Sequence, residues 1–126
     1  MGKNLKLGVA AVAVSVCGVL AAPQALAITA YESHVGISDM APAFHGDVDS
    51  EGQNCVPSRL VRLYRVKNNE DKLLGQDQTN ATGEWAILEP GEFTLKSGLY
   101  YAKVNASLLP SGNRCKQDKS RRIFVD

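Results

Sequence analysis

Residues 98–106 read Gly-Leu-Tyr-Tyr-Ala-Lys-Val-Asn-Ala. Beyond the opening glycine, Tyr100, Ala102 and Val104 fall on one side of an extended chain, and Tyr101 and Lys103 fall on the other. This alternation, rich in aromatic and β-branched residues, is that of a strand with one face buried, and it predicts a strand over Leu99 to Ala106. Working outward, the same period recurs. Upstream, Glu84-Trp85-Ala86-Ile87 places Trp85 and Ile87 on one face. It follows Asn80-Ala81-Thr82-Gly83, where Gly83 supplies the positive φ that a tight connection needs. Trp85 is the single tryptophan, and its area makes it the expected centre of the core.

Further out, Leu73 to Thr79, Arg59 to Lys67 and Phe44 to Asp49 read as strands, with Val61 and Leu63 inward in the second of these and Phe44, Gly46 and Val48 sharing a face in the last. Phe93 to Leu95 and Ser120 to Val125 complete about seven short runs, with Ile123 and Val125 facing in. Polar turns at 50–54, 68–71 and 110–113 separate them. No segment sustains a helical period. Even spacing of short runs predicts one all-β domain, a single antiparallel β-sandwich of the immunoglobulin or prealbumin kind. Ile28 to Pro42 lacks clear alternation and reads as an N-terminal arm or an irregular edge strand, so the sandwich is expected over 44–126 and the arm or edge over 28–43.

The start of the chain is of another kind. Lys3 and Lys6 precede an uncharged apolar run from Leu7 to Ala22, and the small-x-small triplet Ala25, Leu26, Ala27 follows Pro23. That is the pattern of a signal peptide over 1–27, cleaved after Ala27. The run is too short to span a bilayer, and Val16 before Cys17 does not suit lipid attachment. Cleavage leaves 99 residues, the size of one domain. Lys3 and Lys6 depart with the leader, so 12 basic side chains face 13 acidic ones. A near-neutral domain has no electrostatic footprint for nucleic acid, and Arg59, Arg62, Arg65, Arg121 and Arg122 read as members of a solvated sheet face.

Loss of Cys17 leaves Cys55 and Cys115, 60 positions apart, in an oxidising compartment where they are expected to form a disulfide. Two cysteines without clustered histidines do not make a structural zinc site. The expected location is secreted or extracellular, free of the membrane once the leader is removed, with a surface or extracellular ligand as partner and no cofactor.

The order Phe44, Gly46, Val48, Ser50, Cys55, Arg59, Val61, Thr79, Gly83, Trp85, Gly98, Tyr100, Tyr101, Ala102, Val104, Cys115, Ser120 resembles small secreted bacterial proteins with a transthyretin-like, or carboxypeptidase-regulatory-like, β-sandwich. The resemblance runs from Phe44 to Val125 and implies a fold rather than an activity. The hydroxyisourate hydrolases, an enzymatic branch similar in strand order, end in Tyr-Arg-Gly-Ser, whereas this chain ends Arg122-Ile123-Phe124-Val125-Asp126.

Candidate chemistry is sparse. His34 and His45 stand alone, and a hydrolytic set drawn from His45, Asp47 and Ser50 lacks a nucleophile elbow or an oxyanion loop. Asp47, Asp49, Glu51 and Gly52 match the first half of a calcium loop, but its twelfth position is Ser58. A non-enzymatic binding or structural module is therefore expected, with a hydrolase using His45 and nearby carboxylates, or weak calcium binding, as alternatives. Tyr100 belongs to the core by phase, leaving Tyr64 and Tyr101 as an exposed ligand face. Asn80 and Asn105 begin glycosylation sequons.

Overall fold

The structure, a computed structural model, describes residues 27–40, 43–88 and 96–126. The described residues are all-β, with a single 3₁₀ turn (Gln53–Cys55) and no α-helix. The strands are β1 (Ala30–Tyr31), β2 (Ser33–Val35), β3 (Ser38–Met40), β4 (Ala43–Ser50), β5 (Leu60–Arg65), β6 (Lys72–Gln78), β7 (Glu84–Leu88), β8 (Gly98–Val104), β9 (Ser107–Leu108), β10 (Arg114–Cys115), β11 (Asp118–Lys119) and β12 (Ile123–Val125). The leader expected over 1–27 lies almost wholly outside the described residues, and the run at Phe93–Leu95 lies wholly outside them.

In one sheet β4 is central, with β2 and β3 along one side and β7 along the other. In the second the order is β6-β5-β8, with β11 and β12 pairing in succession with the free side of β8. Alternation along each strand sends one set of side chains inward. Val35, Ile37, Phe44, Val48, Trp85 and Ile87 meet Val61, Leu63, Tyr100, Ala102 and Val104 in one buried cluster, against which Leu74, Ile123 and Val125 pack. Phe44 and Tyr100 face each other across it at 5.1 Å between ring centroids. Trp85 is in this core, as its size predicts.

The chain passes from one sheet to the other between β6 and β7. Asn80 Oδ1 accepts from Thr82 N, Thr82 Oγ1 and Glu84 N, a side-chain-built turn. Gly83 has φ +89°, and a Cβ there would lie 2.4 Å from the Val48 carbonyl oxygen. Two aspartates tie the sheets together along their flanks: Val35 N of β2 donates to Asp118 Oδ2, and Ala86 N of β7 donates to Asp77 Oδ2, each at 2.9 Å.

A small third sheet, β1-β10-β9, caps one end. Its β1–β10 pair is parallel, a departure from the wholly antiparallel expectation. Two-residue strands carry no readable period, which is why β1, β9, β10 and β11 leave no trace in the sequence pattern. Within the expected arm, Ser33–Val35 and Ser38–Met40 are drawn in along the edge of β4, with Val35 and Ile37 in the core, while Ala30–Tyr31 pair with β10. The last strand begins at Ile123 and not at Ser120, because Ser120 bonds Ala102 through both its hydroxyl and its backbone N–H.

Where β2 passes into β3, Gly36 N donates to Asp47 O at 2.9 Å, and the chains come so close that a Cβ on Gly46 would lie 2.0 Å from Gly36 O and 3.0 Å from Trp85 Cζ2. Both neighbours are held by the sheet and the core. Gly46→Ala is therefore expected to destabilise the fold by about 3 kcal/mol in urea unfolding, at the upper end for an overpacked site. An unchanged midpoint would show that β2 and β4 can separate there.

Candidate functional site

The described residues hold two distinctive constellations, one inside and one on a sheet face. The inner one begins at the 3₁₀ turn after β4, where Cys55 is bonded to Cys115 of β10, with Cα atoms 5.5 Å apart. Both cysteines are fully buried. In the chain-entropy description, closing a loop of 60 residues contributes up to about 4 kcal/mol, and an intact disulfide belongs to an oxidising environment.

Beside it lies Arg59, expected on a solvated face but only 1% exposed. Its Nη1 donates to Ser33 Oγ (3.0 Å) and Cys55 O (2.6 Å), and its Nη2 donates to Asn105 O (2.8 Å) and Lys116 O (3.0 Å). Thr79, also buried, completes the setting by accepting from Arg59 N and donating to Val56 O. Burial pushes the guanidinium below its ordinary pKa, yet arginine keeps its proton in proteins. The site is thus a buried cation held by three carbonyl dipoles and a hydroxyl.

The outer constellation lies on the solvent side of the five-stranded sheet. Tyr64 of β5 and Tyr101 of β8 are directly opposite and stack at 5.3 Å and 17°. Tyr101 donates its hydroxyl to Asp71 Oδ2 at 2.6 Å, and Lys119 Nζ lies 5.5 Å from its ring centre. Asp71 also accepts from Lys67 N. These two bonds, the tyrosine's first, hold the Asp71 carboxyl below its usual range, and Arg122 and Lys119 act in the same direction. Burial, and then the bond to Asp71, pushes the Tyr101 phenol up to about 12.

Tyr64 and Tyr101 are therefore brought together, but the expectation that Tyr101 is exposed is corrected: it is 6% exposed, one ring face against Tyr64 and Lys119 close by. Phase alone puts Tyr101 outward. Only the cross-strand partner, invisible in the local sequence, shows that its ring is covered.

The histidine and carboxylate candidates do not converge. His45 and Ser50 sit five positions apart on one extended strand, about 16 Å at the usual rise per residue. Ser50 Oγ instead donates to Glu32 O and accepts from Gly52 N. His45 Nε2 is buried without a hydrogen-bond partner, and His34 is exposed. Asp47 and Asp49 lie within β4 and not in a loop that could wrap a calcium ion. Among the described residues, no group of three or more His, Cys, Asp or Glu side chains could hold a metal.

A shallow groove over β9 and β10 is lined by Ala30, Leu108, Arg114 and Lys116, and a second by Asn54, Pro57 and Pro110; neither includes a histidine. Asn80 of the first sequon is engaged in its turn and bonded to Glu84. No helix among the described residues is long and apolar enough to cross a membrane. Compared with known proteins, the chain matches no family model, no curated protein and no solved structure.

Two outcomes follow from these sites. Arg59→Met removes every side-chain donor while leaving two buried and two part-buried acceptors, and is expected to cost about 3 kcal/mol in oxidised protein. Arg59→Lys, with three donors for four acceptors, should recover only part of this; a Met variant as stable as the parent would mean that water serves those carbonyls equally well.

The second concerns pH. The raised Tyr101 pKa favours the folded state fully below pH 10, the ordinary tyrosine value, and that contribution is lost as pH rises through about 12. An ultraviolet tyrosinate titration should contain a step from Tyr101 at about 12. Asp71→Asn should lower that step toward, but not to, the ordinary value, because burial remains. An identical titration curve would remove the Asp71 bond from the account.

Proposed function

We propose that this chain is an exported, non-enzymatic binding module, a transthyretin-like β-sandwich freed of its leader that acts at or outside the cell surface. The observation that carries the reading is the outer face of the five-stranded sheet. It is fixed in shape by the Tyr64–Tyr101 stack and by the bond from Tyr101 to Asp71. The same face leaves large apolar side chains in water, with Leu73 opposite Tyr64, and Leu99 opposite Phe124. Phe124 is 65% exposed and makes no contribution to the core cluster. Apolar groups clustered on one rigid face mark an interaction surface more often than chance exposure does. The buried disulfide supports a working environment outside the reducing cytoplasm.

The test is sedimentation of the purified oxidised protein with isolated envelope and surface material of its host. The parent is expected in the pellet, and Phe124→Ser, which should leave the unfolding midpoint nearly unchanged, in the supernatant. A parent that stays in the supernatant would overturn the reading, and a Phe124→Ser variant that pellets equally would remove this face from it.

A further inference from the structure

Along the outer face, two residues from the tyrosine pair on each strand, the register sets Arg62 of β5 opposite Lys103 of β8, and Lys103 opposite Lys119 of β11. Ala102 and Val104 point into the core, so Lys103 points out, as does Arg62 between Val61 and Leu63. Neighbouring strands are spaced by about 4.8 Å, so the backbone positions of the three residues form a line roughly 10 Å long across the sheet, with Lys119 Nζ reaching over the Tyr101 ring. Arg62 Nε donates to neutral Gln76 Oε1, and among the described residues none of the three has a carboxylate within ion-pair distance. Asp71, whose oxygens accept from Tyr101 and Lys67 N, attracts Lys119 at longer range without forming an ion pair with it.

Like charges placed directly opposite each other on adjacent strands oppose folding. The sequence is close to neutral, with 14 basic and 13 acidic residues, so a row without an ion-pair partner is not a by-product of a basic composition. Such a local conflict with the fold is expected where a surface is kept for a ligand. We infer that this row binds a linear acidic polysaccharide, its carboxylates lying one per strand on Arg62, Lys103 and Lys119 and its sugar rings resting on the apolar rows beside them. This rests on the binding-module reading and names the ligand class of the same face.

A polymer that is charged at regular intervals and has apolar C–H faces matches a row of cations beside Tyr64 and Tyr101, with Leu99 and Phe124 one row further along the same face. Nucleic acid fits less well, because bases need open aromatic faces to stack upon, and Tyr101 has Tyr64 against one face and Lys119 within cation–π range. A lipid surface would favour side chains projecting from a loop or helix over a flat sheet.

The experiment uses the oxidised protein with polygalacturonate as probe, its fully methyl-esterified form as the uncharged control, and single-stranded DNA and anionic phospholipid vesicles as competing polyanions. Expected are binding to polygalacturonate that weakens with salt, loss of binding on esterification, and about tenfold weaker affinity for Lys103→Gln. Removal of the central charge also relieves repulsion from both sides, so Lys103→Gln should raise the unfolding midpoint by roughly 1–5 °C. A variant that is weaker in binding yet more stable cannot be explained as misfolded.

Equal binding of the esterified polymer, undiminished binding by Lys103→Gln, or preference for DNA or vesicles would overturn the inference. Failure to bind polygalacturonate while the parent still sediments with envelope material would overturn it and leave the binding-module reading in place. Binding to polygalacturonate without envelope sedimentation would support the ligand class and count against the cell-surface role.

Discussion

The Arg59 guanidinium is the point on which the structure is hung. An isolated charge in a protein interior is costly, and among the described residues no carboxylate pairs with it. Three backbone carbonyls and a hydroxyl do so instead, from Ser33 of β2, Cys55 of the 3₁₀ turn, Asn105 after β8 and Lys116 after β10. These groups come from segments far apart in the chain. The dependence runs both ways: the cation needs the carbonyls, and the carbonyls, turned inward at strand ends, need donors. The Cys55–Cys115 disulfide holds two of those segments within reach, since Cys55 itself supplies one acceptor and Lys116 follows the other cysteine.

Fixing Arg59 fixes the start of β5, and through it the alignment of the five-stranded sheet. Side chains alternate with a period of two, so a slip by one residue would exchange the buried and solvent faces of the strand. Val61 and Leu63 reach the core only if Arg62 and Tyr64 point out. The outer face is thus set by the same constraint that packs the inner one. Along the flanks, Asp77 and Asp118 accept N–H groups from the opposite sheet, which would otherwise be open to pairing with another chain.

The two sides of this sheet answer to different demands. Inward, Tyr100, Ala102 and Val104 fill space against Phe44 and Trp85 without a charge among them. Outward, the same strands carry a cationic row without an ion-pair partner beside stacked tyrosines, and exposed Leu99 and Phe124 beyond them. Stability alone would favour an acid in place of Lys103 or Lys119. A face that accepts repulsion and exposed apolar area, on a scaffold otherwise tied by a disulfide and buried hydrogen bonds, is organised for contact with something outside the chain.

Much of the fold is written locally. The alternations around Val61, Trp85 and Tyr100 place those side chains inward, Gly83 marks its turn, and two cysteines in the segment after residue 27 allow one intramolecular bridge. What the sequence by itself determined about this protein is therefore its all-β class, the phase of its longer strands and its disulfide. Only the tertiary structure decided that Arg59 is buried, that Tyr101 is covered by Tyr64 and Lys119, that β1 runs parallel to β10, and that Arg62, Lys103 and Lys119 stand in line. The physical reason is that strand phase depends on neighbours two positions away in the chain, whereas burial of a polar side chain and the company of a charge depend on partners across strands. Apart from Cys55, four positions before Arg59, those partners lie 16 to 57 positions distant, from Lys103 to Lys119 and from Arg59 to Lys116.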